Sequence, residues 1–413
     1  MSQLLNTCKE LKKAAQTLVT VDTKSKNEAL KQVALSLKKN QDFIINENMK
    51  DIENARAKGM KESLIDRLKL DETRIDGMTK DIQTIIDLND PVWKSNDVWT
   101  LENGLIVSKM TVPIGVVGII YESRPNVTID AFALTLKSGN CILLRGSSTA
   151  INSNRALVKV VKEGLRNSPI SENVIGFIDD VDREIVKEML TLNDYIDLII
   201  PRGGNDLIQM VVKNATVPTI ETGVGNCHIF VDETADVKNA VDIIENAKTQ
   251  RAGVCNACET TLVHKNMAKD LLQELHKRVD GRVELRACEK SRVHIDVKVA
   301  KETDWAEEYL DFILAVKVVE NIDEAIDHIH QFGTKHSEAI LTENLSNANR
   351  FSREIDAAAV YVNASTRFTD GSQFGFGAEM GISTQKMHAR GPMGLNELVT
   401  VKYTIVGQGQ IRE

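Results

Sequence analysis

Residues 112–122, VPIGVVGIIYE, carry no charge until the final glutamate. A run of this length, rich in β-branched residues, suits a strand buried on both faces, and such strands belong to parallel sheets flanked by helices. The stretch that follows obeys the same rule. NCILLRG (140–146), NVIGFID (173–179), YIDLIIP (195–201) and VPTIE (217–221) predict further strands, and residues 148–165, 183–192 and 205–215 have the spacing of the helices between them. A second alternating series predicts strands at 228–232, 259–264, 312–320 and 357–364, with helices at 240–250 and 268–279. The fold class is therefore α/β: a Rossmann-like, doubly wound parallel sheet followed by a second α/β domain.

The flanks read differently. Leu4, Cys8, Leu11, Ala15 and Leu18, then Leu30, Val33, Ala34 and Leu37, recur at helical spacing, so the first ninety residues predict helices that end at Pro91. In VWTLENGLIVSKM (98–110), Asn103-Gly104 supplies the positive φ angles of a tight hairpin turn. The tail, 398–411, alternates like a strand and predicts pairing with that hairpin across a subunit boundary.

Composition excludes several functions. The net charge is −8 and no lysine–arginine block occurs, which argues against a nucleic-acid partner. No apolar stretch approaches the roughly 20 residues of a membrane span, and the first residues lack the apolar core of a signal peptide. Six cysteines (8, 141, 227, 255, 258 and 288) are scattered through the chain, the pattern of reduced thiols in a cytoplasmic protein.

The dinucleotide fingerprint G-x-G-x-x-G is absent, because GVGNCH has His228 where the third glycine belongs. Two strand-to-helix corners remain suited to a phosphate: RGSST (145–149), and PRGGND (201–206), where Gly203 and Gly204 would let backbone N–H groups approach a pyrophosphate. Both also fit ordinary loops. Cys255 and Cys258 form a C-x-x-C pair. A structural zinc site needs four ligands, and Cys288, His264, His276 and His294 supply no second pair at ligand spacing. A redox dithiol opens a helix after a strand, whereas this pair follows a helix and precedes a strand. Two readings stay open: small apolar packing, or one nucleophile with an incidental neighbour. His328, His330 and His336 invite a metal reading, but no carboxylate stands at ligand spacing and no metal is expected.

Glu221 in IETGVGN and Cys255 in QRAGVCN stand thirty-four residues apart. Here the chain resembles the aldehyde dehydrogenase superfamily, in which a glutamate at a strand end precedes the nucleophilic cysteine by that interval. VPIGVVGIIYE, KSGNCILLRG, IPRGG, EEYLDFI, VYVNAS and FGFG are similar to successive motifs of that family. YESRPNVTIDA, NAKTQRAGVCNA, DEAIDHIHQFGTKHSEAI, YVNASTRFTDG and KMHARGPMGL resemble one branch of it, whose members reduce the 5-phosphate of glutamate during proline biosynthesis. Cys258 stands where that branch usually has an aliphatic or small residue.

The resemblance implies an NADPH-binding domain over 1–225 to which 366–390 returns, a catalytic thiol domain over 226–365, and an oligomerisation arm from 97–112 with 391–413. It implies reduction of L-glutamyl 5-phosphate to L-glutamate 5-semialdehyde with release of phosphate. Cys255 would be the nucleophile, since a thioester accepts hydride far better than a carboxylate. Backbone N–H groups of 253–256, or Arg251, would favour its thiolate. Glu221 would be the general base of the oxidising relatives, and Asn126 an oxyanion donor beside the Cys255 N–H. Arg145 would meet a 2′-phosphate of NADPH, Gly203 and Gly204 its pyrophosphate, and Glu308 its nicotinamide ribose. Arg124, Arg251, Arg367 and Arg390, with Asn363 and Ser365, would hold the substrate anions. The partners implied are the small-molecule substrate, further copies of the chain and functional coupling to glutamate 5-kinase; neither nucleic acid nor membrane is expected. Two other readings fit less of the chain: a reductase or acylating dehydrogenase acting on another activated acyl group such as an acyl-CoA, and a binding protein on this fold that has lost activity.

Overall fold

The computed structural model describes residues 3–122 and 124–412. The chain forms two compact units. The first contains Met1–Thr222, Gly375–Gly381 and Met393–Glu413, and the second Gly223–Phe374 and Ile382–Pro392. Of the segment 366–390, expected to return to the first unit, only Gly375–Gly381 does so.

The first unit opens with α1 (Gln3–Leu18), α2 (Thr23–Lys39), α3 (Gln41–Ala57), α4 (Glu62–Leu68) and α5 (Glu72–Asp87). Leu4, Cys8, Leu11 and Leu18 are buried as their spacing predicts, but the fourth position of the stripe is Ala14, not Ala15. Buried polar groups knit these helices to the sheet layer. Asp51 accepts from the Ser153 N–H (2.8 Å) and hydroxyl (2.6 Å), and Lys137 donates to Asn27 Oδ1 (2.7 Å) and the Ile86 carbonyl (2.8 Å). Next come β1 (Ser95–Thr100), β2 (Ile106–Pro113), β3 (Val116–Tyr121), α6 (Val127–Lys137), β4 (Cys141–Gly146), α7 (Ile151–Arg166), β5 (Ile175–Phe177), α8 (Arg183–Met189), β6 (Leu198–Arg202) and α9 (Asn205–Asn214). Strands β5-β4-β3-β6 form a parallel sheet in that order, and all six residues of β3 are buried.

The apolar run 112–122 is not one strand. Pro113 ends β2, Gly115 turns at φ +133°, and β3 begins at Val116, whose N–H donates to Asp197 (2.8 Å). VPTIE makes only one bridge, Ile199 to Thr219. Pro218 lacks the N–H that a continuous ladder needs. The hairpin β1–β2 also departs from expectation. Its loop spans 101–105, Leu101 N–H donates to the Leu105 carbonyl (2.8 Å), and Gly104, not Asn103, takes the positive φ. The tail strand pairs with β2 as expected, yet within the same chain.

The second unit holds β7 (Cys227–Val231), α10 (Val237–Thr249), β8 (Cys258–His264), α11 (Ala268–Val279), β9 (Glu284–Ala287), α12 (Glu289–Arg292), β10 (Lys298–Val299), β11 (Ile313–Val319), α13 (Ile322–Phe332), β12 (Ser337–Leu341), α14 (Leu345–Glu354), β13 (Ala359–Val362), β14 (Ile382–Ser383) and β15 (Gly391–Pro392). Strands β10-β9-β11-β8-β7-β12-β13 form one parallel sheet. Alternation divides its core: Ile229, Val231 and Val263 pack with Val241 and Leu271 on one face, and Phe230 and Leu262 with Ile326 and Phe351 on the other. The last strand, β16 (Val399–Val406), belongs to the first unit and completes the antiparallel sheet β1-β2-β16.

At the start of β8, Glu259 is fully buried and its carboxylate meets Lys248 of α10 at 2.5 Å. Burial pushes Glu259 up to about 8 against the pull of that ammonium. Removing one partner strands the other in the core. Lys248→Met is expected to cost about 3–5 kcal/mol, and adding Glu259→Gln to recover much of it. Urea denaturation of the two variants checks this.

Candidate active site

In the second unit, residues 250–257 carry the chain from α10 to β8. Cys255 sits half-buried in this turn, whereas Cys258 is already the first residue of β8 and is buried in the core. Burial pushes the Cys258 thiol up to about 12, so it stays protonated. The C-x-x-C pair therefore divides into an accessible thiol and a core residue. Cys227 opens the neighbouring strand. Its thiol donates to the Cys255 carbonyl (3.1 Å), and burial holds it neutral.

The loop before β7 fixes the back of the Cys255 turn. A β-carbon on Gly225 would lie 1.4 Å from the Cys255 carbonyl oxygen, so no other residue fits. The Gly225 N–H donates to Glu308 Oε1 (2.7 Å), which gives Glu308 a partner in this loop. Asn226 then donates to the carbonyls of Trp305 (2.8 Å) and Phe332 (3.0 Å), and its own buried Oδ1 accepts from none of the described residues.

Segment 365–370 meets the Cys255 turn from the other side. Thr366 donates to the Asn256 carbonyl (2.7 Å), and Asn256 Nδ2 to the Thr369 carbonyl (2.8 Å). Arg367 donates through Nε (2.9 Å) and Nη2 (2.8 Å) to Gln250, and through Nη1 to Asn256 Oδ1. Ser365 caps this segment by accepting the Arg367 N–H (3.3 Å). Arg251 is exposed and contributes repulsion to Arg367. Asn363 is occupied elsewhere, since its amide exchanges two 2.8 Å bonds with the backbone of Thr342 and extends the strand pairing. Arg390 pairs with Asp356 (2.7 Å), beside Lys386 on the same carboxylate (2.9 Å). The three histidines diverge. His328 Nδ1 lies 3.1 Å from Lys317, His330 faces the Glu354 carbonyl, and His336 lies against Ser337 and Cys227.

The first unit carries the other candidates. Asn126, at the start of α6, donates through Nδ2 to Asp130 (2.9 Å). Arg124 and Glu221 are half-buried, the latter at the last turn of chain before the division between units. Arg145 closes β4 with Nη2 on the Val181 carbonyl (3.0 Å), while its buried Nε has no partner among the described residues. Burial and the nearby Arg183 lower its hold on the proton. Gly204, at the start of α9, donates its N–H to Glu122 (2.8 Å), and a β-carbon on Gly203 would lie 2.5 Å from the same carboxylate. An anion thus already sits at this helix N-terminus. The orphaned Arg145 nitrogen at the end of β4 fits a phosphate-bearing nucleotide, whereas the 203–204 corner, two strands away at the end of β6, already holds the Glu122 carboxylate.

Gly225, Gln250 and the side chain of Asn256 were not among the groups expected here; of Asn256 only the backbone N–H was. The glycine-rich string around 223–225 and the polar ends of 250–256 were the signals available.

Gly225→Ala is expected to displace the Cys255 backbone, since overpacking against a fixed carbonyl costs at least about 1–3 kcal/mol. Activity should fall far more than melting temperature, a comparison that thermal denaturation beside initial rates makes directly. In the first unit, Asp130 is raised to about 7 by burial and the neighbouring Asp81, against the pull of Asn126 and Arg202. Its folded pKa exceeds the unfolded value near 3.9. Its contribution is therefore complete below about 4 and lost as pH rises through 7. Asp130→Asn should flatten the pH dependence of stability in that window; a melting-temperature profile parallel to the parent's would contradict it.

Comparison with known proteins identifies the family. The aldehyde dehydrogenase family model matches residues 2–290 and 293–403. Gamma-glutamyl phosphate reductases of Alkaliphilus metalliredigens and Alkaliphilus oremlandii are 72% and 66% identical over 413 residues, covering all of both chains. The crystal structure of gamma-glutamyl phosphate reductase from Thermotoga maritima is 54% identical, with a TM-score of 0.97 over 100% of each chain. An acetylating aldehyde dehydrogenase of Geobacillus thermoglucosidasius shares the fold at 16% identity and a TM-score of 0.74. The chain belongs to the aldehyde dehydrogenase family.

Proposed function

We propose that this chain reduces L-glutamyl 5-phosphate to L-glutamate 5-semialdehyde with release of phosphate, using NADPH and a thioester on Cys255. The observation that carries the reading is the accessible Cys255 turn, set in a chain 72% identical over its whole length to a reductase so named. Cys255 Sγ attacks the acyl carbon, the carbon–oxygen bond to phosphate breaks, and phosphate leaves with its electron pair. The thiolate must also depart when the aldehyde forms, so one sulfur serves as nucleophile and leaving group. The Cys255 N–H and the second Nδ2 hydrogen of Asn126 would stabilise the oxyanion, a donor worth about 3 kcal/mol. Asp130 would hold the Asn126 amide in that orientation through its 2.9 Å bond.

The coenzyme supplies a hydride. Arg145 would hold its 2′-phosphate, which favours NADPH over NADH, and the 203–204 corner its pyrophosphate. Glu308, bonded to the Gly225 N–H through Oε1, would take ribose hydroxyls on its remaining lone pairs. Glu221 would exchange a proton with Cys255 and not activate water, because hydrolysis of the thioester wastes the acyl phosphate. Arg124, Arg251 and Arg390 are the cations proposed for the substrate's phosphate and carboxylate.

We also propose that the antiparallel sheet β1-β2-β16 joins copies of the chain. Val401, Tyr403 and Ile405 alternate along one face of β16 and are exposed, with Trp99 edge-on to Tyr403.

The decisive assay couples acyl phosphate formation by a glutamate kinase to loss of nicotinamide absorbance. Cys255→Ser should lower turnover by roughly 10³-fold or more. Cys258→Ala should keep turnover within a few-fold, at a stability cost typical of a small buried cavity. Native-rate turnover by Cys255→Ser would remove the thioester from the mechanism.

A further inference from the structure

Arg367 was expected to bind substrate, but three of the five N–H donors of its guanidinium are committed to the protein. They reach the two ends of one loop. Gln250 stands five residues before Cys255, and Asn256 immediately after it. Asn256 answers with Nδ2 on the Arg367 carbonyl (3.4 Å) and the Thr369 carbonyl (2.8 Å), so the contact is reciprocal. One planar cation therefore closes the loop around the nucleophile, a two-sided geometry that a lysine ammonium does not reproduce.

Its charge is also placed to act. Burial opposes the charge on Arg367, Asp370 supports it, Arg251 opposes it, and anions at Cys255 and Cys227 support it. Cys227 is buried and neutral, which leaves Cys255 as the thiol that gains from the cation. Electrostatic coupling is mutual: an anion at Cys255 that stabilises Arg367 is stabilised by it to the same degree. Two further charged groups belong to this loop: Arg251, exposed within it, acts in the same sense as Arg367, and Glu308, bonded to the Gly225 N–H, acts in the opposite sense.

We infer that Arg367 is a positioning residue that closes the 250–256 loop and stabilises the Cys255 thiolate, while substrate anions are held by other groups. The inference rests on Cys255 being the nucleophile of the proposed reaction, but not on the identity of the acyl substrate.

The test follows the rate of Cys255 alkylation by iodoacetamide against pH in the full-length protein without substrate, read by mass spectrometry of the Cys255 peptide. The midpoint of that profile reports thiolate formation. Arg367→Gln should raise it by about one pH unit, roughly a tenfold slower reaction at neutral pH. Asp370→Asn, which leaves both ends of the clamp intact, should lower it by removing the competing anion. Gln250→Leu, which opens one end and keeps the charge, should leave the midpoint in place and lower kcat. A purely structural role would change plateau rates alone. If Arg367→Gln does not fold, the downward shift in Asp370→Asn supports the inference by itself; midpoints that do not move in any folded variant overturn it. The substrate assay of Cys255→Ser is independent, so failure of either idea leaves the other standing.

Discussion

The carbonyl of Cys255 lies against the α-carbon of Gly225, closer than any side chain would permit. That single approach follows from the sheet. β7 and β8 are parallel neighbours, Cys227 opposite Cys258, so the loops that enter them must cross at the same edge. The residues of the second unit bonded to the Cys255 turn and to the loop behind it come from that edge. Loop 223–226 precedes β7, the Cys255 turn precedes β8, Glu308 precedes β11, and Thr334 and His336 precede β12. The 365–370 segment follows β13 but returns to the same place, with Thr369 bonded to Ser337 at 2.7 Å. Open parallel sheets ordinarily place ligands at the carboxyl ends of their strands. In the first unit Arg145 and Gly203, proposed for the coenzyme, lie at or beyond the carboxyl ends of β4 and β6, while the Cys255 turn of the second unit lies at an amino end.

Cys255 sits in the turn before β8 and not in the ladder, and successive N–H groups of a turn form the concavities that bind anions. Crowding accompanies it: Gly225 admits no β-carbon beside the Cys255 carbonyl, and Ala252 and Ala257 are buried. Behind them the sheet buries ionisable pairs, Lys248 with Glu259 and His228 with Glu338, whose partners come from neighbouring elements. Such pairs contribute little net stability but penalise any register other than the native one.

The sequence made much of this readable, for identifiable reasons. Long strands with both faces covered, such as β3 and β11, announce themselves by apolar content. Short ones do not: β9 (ELRA) and β12 (SEAIL) carry charged residues, and Glu338 is tolerated because it accepts the His228 N–H. Pro113 and Pro218 are each a local signal that outranked apolarity. The hairpin kept its position and changed its turn, since a five-residue connection needs a positive φ at Gly104 alone. Cys255 was legible as chemistry through the strings around it. Its separation from Cys258 was legible only as one of two open readings, because full burial of one and half-burial of the other depend on where β8 begins.

The clamp on Cys255 lay beyond sequence reasoning for a different reason. Asn256 and Arg367 are 111 residues apart, and nothing local in either string names the other. An arginine in a motif-rich segment of an enzyme for anionic substrates reads naturally as an anion binder. Here the protein itself occupies three of its donors, and an acidic neighbour, Asp370, tempers its charge. A moderate cation has a chemical logic. A thiolate held too firmly would be a poor nucleophile, since nucleophilicity falls with basicity; one held too weakly would be a poor leaving group when the aldehyde departs. Between those limits, a partly compensated guanidinium keeps the same sulfur competent for both steps.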